Sequence, residues 1–227
     1  MRYAALLDLE TTGLDSSVDR IIEIAVCVYD LELACPIESY ASLVRLEDGR
    51  VNDAEKHNRI PTAALEFAQH PIVVWRRVAE LVVQADVVAA HRAEFDRGFC
   101  AAQGQLTTMT WVCTKTDFDW PGVGRGDHLV HLALAYGLGV SSAHRALTDV
   151  DHMARILTRV HELGHSLPDL FRKAARPKKR FVALVSYDQR QIAKDAGFLW
   201  NEKSREWYRM MPPEDVEALS FRVVQRD

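Results

Sequence analysis

Tyr3-Ala4-Ala5-Leu6-Leu7-Asp8-Leu9-Glu10-Thr11-Thr12-Gly13 stands at the head of the chain and decides how the rest is read. Tyr3 to Leu7 is an apolar run without alternation, the pattern of a strand covered on both faces. Side chains alternate along a strand, so Asp8 and Glu10 project to one face while Leu7 and Leu9 project to the other. Two carboxylates held on one face of a core strand resist joint ionisation. A divalent cation relieves that repulsion, and hard oxygen ligands suit magnesium or manganese.

Outward from this strand, Ile21 to Asp30 and Glu38 to Leu46 read as two more strands, joined by short turns that favour an antiparallel meander. Ile72 to Gln84 repeats apolar residues at helical spacing, and Asp86 to Ala90 is a compact buried strand. Ala93 to Gln103 reads as a helix, and Thr110 to Cys113 as a short strand. A further helix is expected from a cap at Asp127 to near Gly137. Arg145 to Leu163 is the longest periodic segment, stopped by Gly164 with Pro168 beyond. Strands first, then strands alternating with helices, predict an α/β layer fold around a mixed sheet.

The 227 residues suffice for one or two domains with a sizeable core. The net charge of −4 hides an asymmetry. Residues 1–171 carry 15 Lys/Arg against 24 Asp/Glu, whereas 172–211 carry 11 against 4. The expected organisation is an α/β domain over residues 1–168, a basic linker over 169–180, and a small α+β module over 181–227. Within that module Phe181 to Tyr187 and Glu206 to Met210 read as strands around a helix from Gln189 to Ala196. The chain start is too short in apolar residues for a secretory signal, and no stretch nears the roughly 18 needed to span a membrane. Cys27, Cys35, Cys100 and Cys113 lack C-x-x-C spacing and read as reduced thiols of a cytoplasmic protein.

Two acidic motifs complete the opening pair. His91-Arg92-Ala93-Glu94-Phe95-Asp96 lies where a strand ends and a helix begins, the place where open α/β sheets hold ligands. His144-Arg145-Ala146-Leu147-Thr148-Asp149 opens the long helix. Five helical steps would set His144 and Asp149 about 140° apart, so His144 is expected on the preceding loop, over a site that Asp149 enters from the first turn. Singly, Asp8 or Asp96 reads as a turn or cap residue and His144 as a surface histidine. His91 and Glu94 read as scaffold or surface. Three spaced motifs in order favour a joint function.

This ordered set resembles the DEDDh (DnaQ-like) 3′→5′ exonuclease family, most of all its exodeoxyribonuclease X type. The resemblance covers roughly residues 1–165, including Ile22-Glu23-Ile24-Ala25, Trp111-Val112-Cys113-Thr114 and Trp120-Pro121-Gly122. It implies a ribonuclease-H-like mixed β-sheet flanked by helices, two bound divalent cations (Mg2+ or Mn2+), and release of nucleoside monophosphates from a 3′ end. By motif, Asp8, Glu10, Asp96 and Asp149 would be metal ligands and His144 the general base. Thr11, Thr12, Gly13 and Leu14 would meet the terminal nucleotide. Many relatives carry H-x-I after the third strand, where this chain has His57-Asn58-Arg59-Ile60. The chemistry is self-consistent: two cations about 3.5–4 Å apart activate a water and stabilise the leaving oxygen, and an imidazole takes the water's proton.

His161-Glu162-Leu163-Gly164-His165 matches the zinc-protease pattern H-E-x-x-H, but that chemistry needs both histidines on one continuing helix. Gly164 ends the helix first, and the match is read as accidental. In the C-terminal module, Lys178, Lys179 and Arg180 with Trp200 and Trp207 give the basic and aromatic mixture of single-strand binders, or simply the core of a small module. Single-stranded or 3′-ended DNA is the first substrate expected and RNA the second, with a catalytically inactive nucleic-acid-binding protein as the rival from another class. No polymerase-docking tail and no membrane partner is identified, and the oligomeric state is not legible.

Overall fold

β1 (Tyr3–Thr11), β2 (Ile21–Asp30) and β3 (Cys35–Leu43) form an antiparallel meander, and β4 (Val87–Ala90) and β5 (Trp111–Cys113) add to the free side of β1 in parallel. The computed structural model describes residues 1–47, 49–125, 128–141 and 144–226. It divides into two compact units, Met1–Ala175 and Arg176–Asp227. The sheet order in the first unit is β3-β2-β1-β4-β5, so β1 is central. The pairing of β1 with β2 shifts register between Glu10 and Thr11, a bulge at the end of the acidic strand.

Both faces of β1 are covered, as its unbroken apolar run predicts. Ala5, Leu7 and Leu9 enter one core layer with Val74, Val78 and Leu81 of α3 (Pro71–Val82) and Phe99 and Cys100 of α4 (Ala93–Ala102). Ala4 and Leu6 enter the other, with Val150, Met153, Leu157 and Val160 of α6 (Ala146–Glu162) and Leu132 and Ala133 of α5 (Leu129–Ala135). Each large aliphatic side chain so buried contributes roughly 1.5–3 kcal/mol. Two short helices, α1 (Glu55–Asn58) and α2 (Thr62–Leu65), precede α3. The third strand runs three residues earlier than expected. The expected cap at Asp127 lies outside the described residues.

The linker expected over 169–180 is the main correction. α7 (Leu167–Ala174) starts at Ser166, whose side chain accepts the Asp169 N–H, and it buries Leu167, Phe171 and Ala174 in the first unit's core. Phe171 meets Phe118 edge-on at 4.9 Å. The apolar i, i+4, i+7 spacing was hidden in sequence by the basic residues Arg172 and Lys173 beside it. Lys179 and Arg180, also assigned to the linker, begin a strand.

In the second unit β6 (Lys179–Ala183), α8 (Arg190–Asp195), β7 (Leu199–Asn201), β8 (Glu206–Met211) and β9 (Val223–Arg226) give an antiparallel sheet of order β7-β8-β6-β9. Its core is Phe181, Ala183, Ala193, Phe198 and Met211. The first strand ends at Ala183, four residues short of the expected Tyr187.

Candidate active site

Alternation along β1 puts Asp8 and Glu10 on the face shared with Leu6, toward α6. Asp149 enters from the first turn of α6. One carboxylate oxygen from each of Asp8, Glu10 and Asp149 lies within 4.8 Å of the others. Asp96, in the first turn of α4 just beyond the carboxyl end of β4, is 3% exposed and accepts the Leu9 backbone N–H. His144 is exposed on the loop before α6 with φ of 66°. Its ring centroid stands 4.1 Å from that of His57, on α1. Asp8, Glu10, Asp96, Asp149, His144 and His57 together line a groove of about 660 Å³.

Burial raises all four acids, and for Asp8 and Glu10 the neighbouring carboxylates add to the rise. Burial first, then the charges of Asp96, Asp149, Glu10 and Glu23, lift Asp8 well above the usual carboxyl range. Burial, then Asp149 and Glu23, pushes Glu10 up to about 8 against the opposing pull of Arg145. Burial raises Asp96 to about 7, with backbone hydrogen bonds opposing it. Asp149 is also raised by burial, and His152 and His144 oppose the rise. The donor set is all hard carboxylate oxygen with a surplus of negative charge, which fits divalent magnesium or manganese.

Arg145 does not supply the missing positive charge, because Glu23 holds it. Its Nε donates to Glu23 Oε2 at 3.0 Å and its Nη2 to Oε1 at 2.7 Å, while Oε2 also accepts the Ala146 N–H at 3.0 Å. Glu23 lies opposite Glu10 on β2, so this fork ties the start of α6, and with it Asp149, to the sheet beside the site. The sequence reading assigned Glu23 and Arg145 no role. The available signal was a glutamate inside a buried strand whose other charged residue, Asp30, stands at its end. Asn58 was also missed. It is buried, donates to the Thr11 carbonyl at 3.1 Å and accepts from Asn52 at 2.9 Å, pinning the end of β1.

Thr11, Gly13 and Leu14 line the groove, and Leu14 is 81% exposed there. Thr12 is not among the lining residues. It is buried, its hydroxyl donates to Asp19 at 3.1 Å and accepts the Arg20 N–H at 3.0 Å, so it braces the turn. A side chain at Gly13 would meet the Asp19 carboxylate at 2.4 Å, which explains the glycine. His91 bonds Thr114 at 2.9 Å at the groove wall, and Glu94 is exposed. α6 ends at Glu162 and Gly164 has φ of 88°, so His165 falls off the helix and the zinc pattern is not assembled.

The second unit carries the other expected contacts. Trp200 and Trp207 are partners across β7 and β8 with ring centroids 5.3 Å apart, and Lys194 lies 5.6 Å from the Trp207 ring. Trp207 packs on the module's core, whereas Trp200 is 46% exposed. Arg180 sits over Tyr208 and pairs with Glu206 at 3.0 Å. Lys178 precedes β6, and Lys179 opens it.

Among known families, the one described as Exonuclease matches residues 6–157. A family described as a domain of unknown function, DUF8626, matches 179–225. DNA polymerase III subunit epsilon of Treponema pallidum (strain Nichols) is 32% identical over 158 residues, covering 63% of this chain and 68% of that one. Exonuclease X in complex with 5′ overhanging duplex DNA superposes with a TM-score of 0.55 at 22% identity, over 75% of this chain and 99% of that chain. The nuclease domain of 3′hExo, a DEDDh family member, bound to rAMP, gives a TM-score of 0.56 at 18% identity, over 72% of this chain and 93% of that chain. At these identities the two structures speak to the fold, which is ribonuclease-H-like.

Proposed function

Because this chain belongs to the exonuclease family, of the DEDDh type, we propose that it removes nucleoside monophosphates from the 3′ end of single-stranded DNA in the cytoplasm, using magnesium or manganese. The observation that carries this is the convergence of the Asp8, Glu10 and Asp149 oxygens within 4.8 Å, in a groove that buried Asp96 and exposed His144 also line. These four acids would hold two divalent cations. Such cations, when bound, neutralise the phosphate and the carboxylates and make a bound water acidic.

The chain's own residues supply the rest. His144, exposed on its loop, takes the proton of the attacking water on an imidazole nitrogen. Thr11 and Gly13 floor the groove, and the Leu14 side chain offers an apolar surface to the terminal base. DNA is preferred because the epsilon subunit and Exonuclease X are both DNA proteins by name or title. The rAMP bound to 3′hExo keeps RNA as the second substrate class. The second unit would hold the strand by stacking on exposed Trp200 and by the charges of Lys178, Lys179 and Arg180, with Trp207 backing Trp200.

The test compares 3′-labelled single-stranded DNA, duplex DNA and short RNA with magnesium, manganese or chelator. Labelled mononucleotide released first from single-stranded DNA, and only with cation, is expected. No mononucleotide in any lane would overturn the proposal. Faster release from RNA would move the substrate assignment and leave the chemistry.

A further inference from the structure

His152 follows Asp149 by one helical turn on α6, so the two side chains are neighbours on the helix. It is 1% exposed. Its Nε2 accepts the Ser141 backbone N–H at 3.4 Å, which for a neutral imidazole puts the proton on Nδ1. Among the described residues Nδ1 has no hydrogen-bond partner. It faces Oδ1 of Asp149 at 3.6 Å, just beyond bonding length. Buried donors without a partner are rare in folded proteins, and each calls for an explanation. Here the nearest acceptor is a carboxylate of the acidic cluster.

We propose that His152 is a positioning residue whose Nδ1–H steers the Asp149 carboxylate toward a divalent cation. This rests on the reading of Asp149 as a cation ligand. A carboxylate swing of about half an ångström completes the bond. One oxygen of Asp149 is then committed to the imidazole, and the other is presented to the groove. Nε2, accepting the Ser141 N–H, fixes the orientation of the ring. Hydrogen-bonded partners behind a metal ligand typically govern 10–100-fold in cation affinity or activity.

Three substitutions in the full chain separate the two nitrogens. His152→Asn keeps an amide donor near Nδ1. His152→Gln places its amide near Nε2, and His152→Leu keeps neither. Mn2+ binding is read directly by paramagnetic resonance of the free ion, beside the cation dependence of mononucleotide release. Gln and Leu should weaken Mn2+ binding by about 10-fold or more with little change in KM for DNA, and Asn should recover most of the loss. If Leu fails to fold, the comparison of Asn with Gln decides. Wild-type affinity in Gln and Leu would overturn the inference alone. So would an Asn defect equal to that of Leu, the mark of a packing role. Absence of Mn2+ binding by the wild-type chain would instead overturn the cation site itself, and the inference with it.

Discussion

Replacing Glu10 by Gln should stabilise the cation-free protein, although it removes a proposed ligand. Glu10 is 9% exposed, and burial and its acidic neighbours push its pKa up to about 8. A carboxyl with a raised folded pKa binds more protons folded than unfolded between the two values. Stability is therefore full below about pH 4.5 and falls as pH rises toward about 8. At about 1.4 kcal/mol per tenfold in proton affinity, ionising Glu10 at about pH 8 costs roughly 4 kcal/mol. Solvent at the groove mouth and sharing of protons with Asp8 and Asp149 reduce this to roughly 2–4 kcal/mol. For a unit of this size that corresponds to a rise in Tm of about 5–12 °C. At about pH 5 the gain should shrink below about 1 kcal/mol. The assay is thermal unfolding in chelator at the two pH values, then with magnesium. Cation at a hundred times its Kd should add about 2.7 kcal/mol to the wild type and far less to the variant. A variant less stable than wild type near pH 8 in chelator, or a gain independent of pH, would refute the account of the acidic cluster.

Asp8→Ala should abolish mononucleotide release, and His144→Ala should lower kcat by about 10²–10⁴ with cation binding retained, both read by single-turnover kinetics. Glu23→Ala leaves the buried Ala146 N–H and the half-exposed Arg145 without their acceptor, so a loss of about 1–3 kcal/mol in denaturant unfolding and a fall in activity are expected. Arg145→Lys should not restore the fork, since an ammonium lacks its paired donors. A chain ended after Ala175 should keep its turnover but bind single-stranded DNA more weakly, with a shallower dependence on salt; unchanged binding would remove the second unit from substrate holding. A chain ended at Pro168 loses Phe171 from against Phe118 and should be destabilised by at least about 3 kcal/mol, as judged by its unfolding midpoint.

The central strands β1, β2 and β4 were legible as apolar runs bounded by turn residues, Asp8 and Glu10 stand where the apolar run of β1 breaks, and Asp96, His144 and Asp149 sit where one element gives way to the next. What escaped was long-range or masked. The pairing of Glu23 with Arg145 spans 122 residues, and no local periodicity encodes it. Asn58 acts through a backbone carbonyl 47 residues away. Thr12 looked like its neighbour Thr11, and only the turn formed with Asp19 and Arg20 sends its hydroxyl elsewhere. α7 carries its apolar face on three residues among basic ones, so the charge run outweighed the periodicity. His152 looked like any polar residue of an amphipathic helix until its burial was known.

The central strand also sets a limit on insertion and deletion. Its two acids share a side only because of their phase along a pleated ribbon with a period of two. Losing one residue between Tyr3 and Leu7, with the β2 hydrogen-bond ladder kept, would swing Asp8 and Glu10 into the layer of Val78 and Phe99 and present leucine to the groove. Drift in chain length is therefore tolerable in the turn joining β2 to β3, and lethal to the chemistry a few residues upstream of the carboxylates.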